Sequence, residues 1–253
     1  MIEKRTKHYK SIFVSDIHLG SRMSQAEAFL DFIKYVECEK LYLVGDIIDG
    51  WALHRSFYWP QQHNDVIQKL MRKARKDTEV IYLPGNHDEF LRSFGEHEFG
   101  NIKLQDKVIH KGLDGKTYIV MHGDQFDAVV NNIRWLAYLG SWAYDFSMML
   151  NLIVTKIRNI FNLPYWSLSA WAKYKVKEAV NFITDYEDNL AGYAQSKQVD
   201  GVICGHIHHP NIRKMNNGIM YMNSGDWVES CSALVENDDG SWEIIKWTLK
   251  ESL

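Results

Sequence analysis

The sequence predicts an α/β fold: a parallel sheet built from βαβ units, a second and more antiparallel sheet packed on it, and a helical insertion. Three observations carry this expectation. From residue 11 onward, apolar runs of strand length alternate with segments of helical period, as crossover units do. Five short segments rich in Asp, His and Asn each follow an apolar run. Between the fourth and fifth of them, residues 127–195 read as helix without a convincing strand. The expected organisation is a core of residues 1–126 and 196–253 carrying a helical cap at 127–195.

Taken in order, Ser11–Ser15 reads as a buried strand, Gln25–Val36 as an amphipathic helix and Leu41–Gly45 as a second strand. Asp65–Lys76 reads as a second helix and Val80–Leu83 as a third strand. Tyr118–Met121 and Gly201–Cys204 are further short apolar runs. Open α/β sheets gather ligands at the carboxyl ends of their strands. Asp16, Asp46, Asn86, His122 and His206 each lie just after such a run, so they are expected on one rim. Near the C-terminus, Gly218–Asn223, Cys231–Glu236 and Trp242–Thr248 are strand-like, with Asp238-Asp239-Gly240 as the turn between the last two. These three strands are expected to build the second sheet.

Composition bounds the function classes. At 253 residues, 46% hydrophobic and 24% charged, the chain is an ordinary globular sequence. A net charge of −3 and a pI near 6.4 leave no global footprint for nucleic acid. The cysteines Cys38, Cys204 and Cys231 are odd in number and widely spaced, which fits reduced thiols rather than disulfides or a thiolate metal site. Met1–Lys10 is charged and the apolar stretch after it is too short for a signal peptide. The expected location is cytoplasmic, with the inner face of the cytoplasmic membrane as a peripheral site and no obligate protein partner.

The five segments are Ser15-Asp16-Ile17-His18, Gly45-Asp46-Ile47-Ile48-Asp49, Gly85-Asn86-His87-Asp88, Met121-His122-Gly123-Asp124 and Gly205-His206-Ile207-His208. Together they hold a ligand set for two adjacent metal ions. Residues i and i+2 of a strand project to one side, so Asp16 and His18 offer an oxygen and a nitrogen to one ion. Asp46 has two oxygens with which to bridge two cations, Asn86 is a neutral oxygen ligand, and His122, His206 and His208 supply imidazoles. A sensible division places Asp16, His18, Asp46 and His208 on one ion, and Asp46, Asn86, His122 and His206 on the other. Asp49 is expected to fix a ligand by hydrogen bonding rather than to touch a metal. The remaining histidines, His8, His54, His63, His97, His110 and His209, are read as ordinary surface or core residues.

As a set, these segments resemble the calcineurin-like metallophosphoesterases, whose pattern is D-x-H, G-D-x-x-D, G-N-H-D/E, H and G-H-x-H. The match runs from residue 16 to residue 208. The resemblance implies a sandwich of two sheets flanked by helices, the bridging role of Asp46 and the ligand division above. It also implies that His87 is a catalytic imidazole rather than a ligand, with Asp88 orienting it. Two divalent ions are implied, Mn²⁺ favoured; nitrogen and oxygen donors without thiolate also accept Fe²⁺, Co²⁺ or Zn²⁺. Paired cations of this kind suit hydrolysis at phosphorus. The phosphoprotein phosphatase branch fits poorly, because Asp49 precedes Gly50-Trp51 instead of Arg-Gly. A nuclease fits poorly too, since no long basic groove is evident.

Within that superfamily the chain looks like the UDP-2,3-diacylglucosamine pyrophosphatases of the lipid A pathway. The likeness lies in its length, the insertion between the fourth and fifth segments, and Asn223-Ser224-Gly225-Asp226-Trp227. The best-known branch carries Arg at the position of His87, which sets this chain in a sister branch. The insertion bears on substrate. Trp135–Thr155 holds one charge, Asp145, but a single span would separate His206 and His208 from Asp16 and Asp46, so a membrane crossing is rejected. A helical hairpin packed on itself is one reading. The favoured one is a cap whose apolar face, with Trp135 and Trp142, meets acyl chains or a membrane surface. Ala128–Glu178 has six bases against two acids, which suits a lipid with a phosphate-bearing head group. Arg22, Arg55 and Arg92 lie near the metal segments and are candidates for phosphate contact. The alternatives are a phosphodiesterase or pyrophosphatase acting on another lipid or nucleotide, and a membrane-associated scaffold without activity.

Overall fold

The computed structural model describes residues 6–126 and 168–249. Its strands are β1 (Lys7–Val14), β2 (Val36–Val44), β3 (Glu79–Leu83), β4 (Glu98–Phe99), β5 (Ile102–Leu104), β6 (Val108–Lys111), β7 (Thr117–Val120), β8 (Gly201–Cys204), β9 (Asn211–Lys214), β10 (Met220–Asn223), β11 (Ser232–Glu236) and β12 (Trp242–Lys246). The helices are α1 (Ala26–Lys34), α2 (Gly50–Arg55), α3 (Gln61–Ala74) and α4 (Leu168–Ser196). One sheet has the order β12-β11-β1-β2-β3-β5-β4, the other β6-β7-β8-β10-β9.

The centre of the larger sheet is parallel, because α1 and α3 carry the chain back between β1, β2 and β3. Both faces of these strands are covered, as parallel strands require. Leu41, Leu43, Val80 and Tyr82 belong to the core shared with Phe29, Phe32, Ile33, Val66 and Leu70 of the helices. Their neighbours in the chain, Tyr42, Val44, Ile81 and Leu83, pack instead with Tyr118, Val120, Ile203 and Met222 of the smaller sheet. The strand period of two thus sorts one apolar run onto two cores. Each large side chain buried in this way contributes about 1.5–3 kcal/mol. Helix α1 places Glu27 in its first turn and Lys34 in its last, matching the helix dipole.

The C-terminal strands do not form one sheet. β10 lies beside β8 in the smaller sheet, whereas β11 pairs antiparallel with β1 and brings β12 with it. All five residues of β11 are buried, so it is an inner strand of the larger sheet rather than a half-exposed strand of the second. The turn before β12 forms as expected, with Asn237 N–H on the Ser241 carbonyl at 2.8 Å and Gly240 at φ 82°. β4, β5, β6, β9 and α2 were not expected, being short and rich in polar residues.

The two sheets are also joined by a buried polar link. His110 on β6 contacts the Tyr42 hydroxyl at 3.0 Å through Nδ1 and the Glu236 carboxylate at 3.0 Å through Nε2. The Leu113 N–H donates to Glu236 at 2.6 Å. Burial pushes the Glu236 carboxyl up, but His110 and Leu113 outweigh it and hold it below the usual range. A depressed folded-state pKa gives stability that is present above the unfolded value, near 4.3, and lost as pH falls through the folded one. Glu236→Gln is therefore expected to flatten the acid side of the stability curve. Melting of metal-free protein at pH 7 and pH 4 checks this, and equal acid sensitivity in both chains would refute it.

The chain divides into two compact units, Met1–Asp124 with Leu190–Leu253, and Gln125–Asn189. The first is the sandwich. The second is described over Gln125–Phe126 and the first 22 residues of α4, a helix that continues across the division to Ser196. No helix among the described residues is long and apolar enough to cross a membrane. Trp135, Trp142 and most of the expected cap at 127–195 lie outside the described residues.

Candidate metal centre

Each motif sits where the chain leaves a strand of the sandwich: Asp16 and His18 after β1, Asp46 and Asp49 after β2, Asn86–Asp88 after β3, His122 after β7, and His206 and His208 after β8. The Asp16–His18 pair does not continue a strand, as the spacing argument assumed. Asp16, His18, Asp46, His206 and His208 all have positive φ, between 53° and 72°. Such conformations are rare outside glycine and cost about 1–3 kcal/mol each. Bent strand ends, not strand geometry, aim these donors at a common point.

Backbone bonds fix the bends. Asp16 N–H donates to Gly45 O at 3.0 Å, His18 N–H to Asp46 O at 2.9 Å and Leu19 N–H to Ile47 O at 2.9 Å. Asp16 Oδ2 accepts the His206 N–H at 2.9 Å, and Asp46 Oδ1 accepts the His87 N–H at 2.8 Å. Each carboxylate thus spends one oxygen on the backbone and turns the other inward. Gly85 is required beside Asp46, since a Cβ there would strike Asp46 Oδ1 and lie 2.6 Å from the His122 ring.

The inward atoms form two groups. Asp16 Oδ1 lies 3.1 Å from His208 Nε2 and 3.7 Å from His18 Nε2. Asp46 Oδ2 lies 3.4 Å from His122 Nε2, which is 3.2 Å from His206 Nδ1. Asp46 Oδ2 is also 3.8 Å from His18 Nε2, and so stands between the groups. Donors 3–4 Å apart are what one ion with bonds of about 2.1 Å gathers around it. Among the described residues, Asp16 Oδ1, His18 Nε2, Asn86 Oδ1 and His208 Nε2 are buried without a hydrogen-bond partner of proper geometry. Buried polar atoms left in this state are costly, and metal coordination removes the cost. The residues present fit divalent cations. His122 is pre-aimed: its Nδ1–H donates to the Val44 carbonyl at 2.9 Å, turning Nε2 to the group.

Electrostatics agree. Burial would depress the His18 imidazole, but Asp16 and Asp49 raise it to about 9. His122 is likewise desolvated, yet Asp46 and Asp16 raise it to about 10. Burial works against ionising Asp16, while His208 and His18 hold its carboxyl well below the usual range. Asp46 is lowered despite its burial, chiefly by His122. Protons on His18 and His122 are thus favoured beside the carboxylates in the metal-free protein, and metal uptake must displace them.

The two remaining acids differ from expectation. Asp88 does not orient His87. Its carboxylate is turned away and accepts N–H groups from Gly85 at 2.6 Å and Ile47 at 2.8 Å, and the Tyr82 hydroxyl at 2.5 Å. Asp88 therefore clamps the loops after β2 and β3, and burial together with nearby Asp46 raises its pKa. Asp49 holds His87 instead, with Oδ1 2.8 Å from His87 Nδ1. Its Oδ2 is 3.2 Å from His18 Nδ1, and Oδ1 also caps α2 by accepting the Ala52 N–H at 2.8 Å. One carboxylate thus fixes both an expected ligand and the expected catalytic imidazole. As the N-cap of α2, a helix not legible in the sequence, Asp49 is held by the Ala52 N–H at the point where both imidazoles reach it. Nothing in the sequence marked Tyr82.

The family model for the calcineurin-like phosphoesterases matches residues 9–210. The chain belongs to this family. It is a metal-dependent phosphoester hydrolase, and divalent metal ions are its cofactors. Relatives cover nearly the whole calcineurin-like chain. A UDP-2,3-diacylglucosamine hydrolase of Shewanella sp. (strain ANA-3) is 24% identical, covering 91% of this chain and 95% of its own. A protein of the same description from Porphyromonas gingivalis is 23% identical, covering 87% and 90%. Among solved structures, a hypothetical protein from Pyrococcus horikoshii OT3 shares the fold with a TM-score of 0.52 at 11% identity, covering 97% of this chain and 90% of its own.

The other candidates of this phosphoesterase are placed as follows. Arg22 lies over the Tyr58 ring, 4.5 Å from its centroid. Arg55 is exposed in the last turn of α2. Trp51, which the sequence did not single out for the site, lies tilted against His87, with ring centroids 4.2 Å apart and 34° between the planes.

Proposed function

We propose that the chain hydrolyses the diphosphate of UDP-2,3-diacylglucosamine, giving UMP and an acylated sugar phosphate. The observation that carries this reading is the convergence of all five motif segments in a chain that matches a protein bearing that substrate's name over 95% of that protein's length. Asp16, His18, Asp46 and His208 would hold one ion; Asp46, Asn86, His122 and His206 would hold the other. When bound, such ions supply Lewis acidity that neutralises phosphoryl charge and acidifies water. Mn²⁺ is the proposed metal on the family resemblance; oxygen and nitrogen donors without thiolate accept it, as they do Fe²⁺, Co²⁺ or Zn²⁺.

The chain's own groups then do the following. Asp46 keeps its second oxygen inward because the His87 N–H occupies the first. His87, held at Nδ1 by Asp49, directs Nε2 toward the group, 3.9 Å from Asp46 Oδ2. From there it donates a proton to the leaving phosphate oxygen. Arg22 and Arg55 are the proposed phosphate contacts, and Trp135 and Trp142 the proposed acyl contacts of the cap. The proposed location is the cytoplasm, at the inner face of the cytoplasmic membrane.

The test is UMP release from UDP-2,3-diacylglucosamine by the Mn²⁺-loaded protein, with UDP-N-acetylglucosamine as the control without long acyl chains. UMP from the acylated substrate alone is expected. Turnover of a generic aryl phosphodiester without UMP release would move the substrate to another lipid or nucleotide. No turnover of either nucleotide sugar by metal-loaded protein would overturn the proposed substrate.

A further inference from the structure

Two loops that carry ligands of the second ion are fastened together by a residue outside every motif. Arg92 lies in the 3-10 turn Glu89–Phe94 that follows the Asn86 loop. Its guanidinium donates through Nη2 to the Pro84 carbonyl at 3.0 Å, two residues before Asn86. The same nitrogen donates to Asp124 Oδ1 at 2.8 Å, two residues after His122. Nε lies 3.4 Å from Asp106 Oδ1 at the end of β5's loop, which gives the fork a third anchor. The Arg92 side chain is 35% exposed and that of Asp124 only 14%, so the pair is partly shielded from water. Nη2 makes both hydrogen bonds while Nε faces an exposed carboxylate as an ion pair, and the planar guanidinium holds these two nitrogens at a fixed spacing that a lysine ammonium lacks.

We infer that Arg92 is a positioning residue for one of the two ions. It sets the spacing between the Asn86 and His122 loops, and both of these ligands belong to the ion shared with Asp46 and His206. The ligands of the other ion, on the loops after β1 and β8, are braced differently, through Asp49 on His18 and through the His206 N–H on Asp16. Loss of the clamp should therefore weaken one ion and spare the other. Arg92 is thus committed to protein groups, and it leaves phosphate contact to other residues. The inference rests on the two-ion centre proposed above.

Titration of metal-stripped, full-length protein with Mn²⁺ alone, followed by calorimetry, separates the outcomes. Wild type is expected to take up two ions. Arg92→Gln should lower one affinity by about ten- to a hundred-fold and leave the other within a few-fold. Arg92→Lys, which keeps the charge but not the fork, should show most of the same loss. Asp124→Asn should act on the same ion, and combining it with Arg92→Gln should add little, as expected of partners in one contact. Unchanged affinities, or two affinities that fall together with the melting temperature, would overturn the role assigned to Arg92. A wild-type protein that binds a single ion would overturn the two-ion centre instead.

Discussion

Replacing His87 by Ala is expected to leave two ions bound per chain and to lower kcat by about 10²- to 10⁴-fold, the range for a lost acid–base group. The expectation follows from how the imidazole is held. Its Nδ1 is taken by Asp49 at 2.8 Å, and its backbone N–H supports Asp46 at 2.8 Å. The backbone bond survives truncation to Ala, so the Asp46 carboxylate keeps its direction. Only the side chain is lost, and with it the proposed proton donor, whose Nε2 lies 3.9 Å from Asp46 Oδ2. Asp49→Asn should also reduce kcat, and in addition weaken an ion, because Asp49 holds His18 at 3.2 Å as well. Metal content by mass spectrometry alongside steady-state kinetics distinguishes the cases. If His87→Ala loses an ion, the imidazole is a ligand and its assignment as proton donor fails.

Asp46→Asn is expected to abolish turnover and to remove most of the stabilisation that metal gives the fold. Asp46 Oδ2 is the atom nearest both groups, 3.4 Å from His122 Nε2 and 3.8 Å from His18 Nε2. An amide keeps an oxygen for the His87 N–H but removes the negative charge that would lie between the two proposed cations. A ligand at a thousand times its dissociation constant stabilises the folded state by about 4 kcal/mol. Wild type should therefore melt several degrees higher with saturating Mn²⁺ than without it, while Asp46→Asn should show little of that rise. The metal-free variant should melt close to the metal-free wild type, since its backbone bonds are intact. An undiminished Mn²⁺-dependent rise would remove Asp46 from the bridging position.

The sequence was a good guide to which elements exist and a poor guide to where some of them go. Leu41–Val44 and Val80–Leu83 read as buried strands because apolar runs of that length, followed by turn residues, have few other uses. Cys231–Glu236 read equally well as a strand, but its place beside β1 depends on long-range pairing, such as Ile12 with Val235, that no local pattern encodes. The short strands β4, β5, β6 and β9 carry too few apolar positions to stand out, and they form because a sheet edge is offered to them.

For the site, residue type and order alone named the metal-ligand candidates, since only Asp, Asn and His at strand ends offer donors of that chemistry in that order. Left undecided by the sequence was the division of labour among the acids. Asp88 is next to His87 in the chain and Asp49 is 38 residues away, yet Asp49 makes the contact. A side chain's partner is set by the direction in which the loop releases it. Asp88 is released into a nest of N–H groups from Gly85 and Ile47, where a carboxylate is held whatever its neighbour does. Asp49, placed before α2, is released toward both His18 and His87. The sequence by itself determined the chemistry of the donors and their order along the chain. Only the tertiary structure decided which carboxylate serves which imidazole, because that depends on how the loops after β2 and β3 are bonded to one another, Asp88 to the Gly85 and Ile47 N–H groups and Asp49 to His87 and the Ala52 N–H.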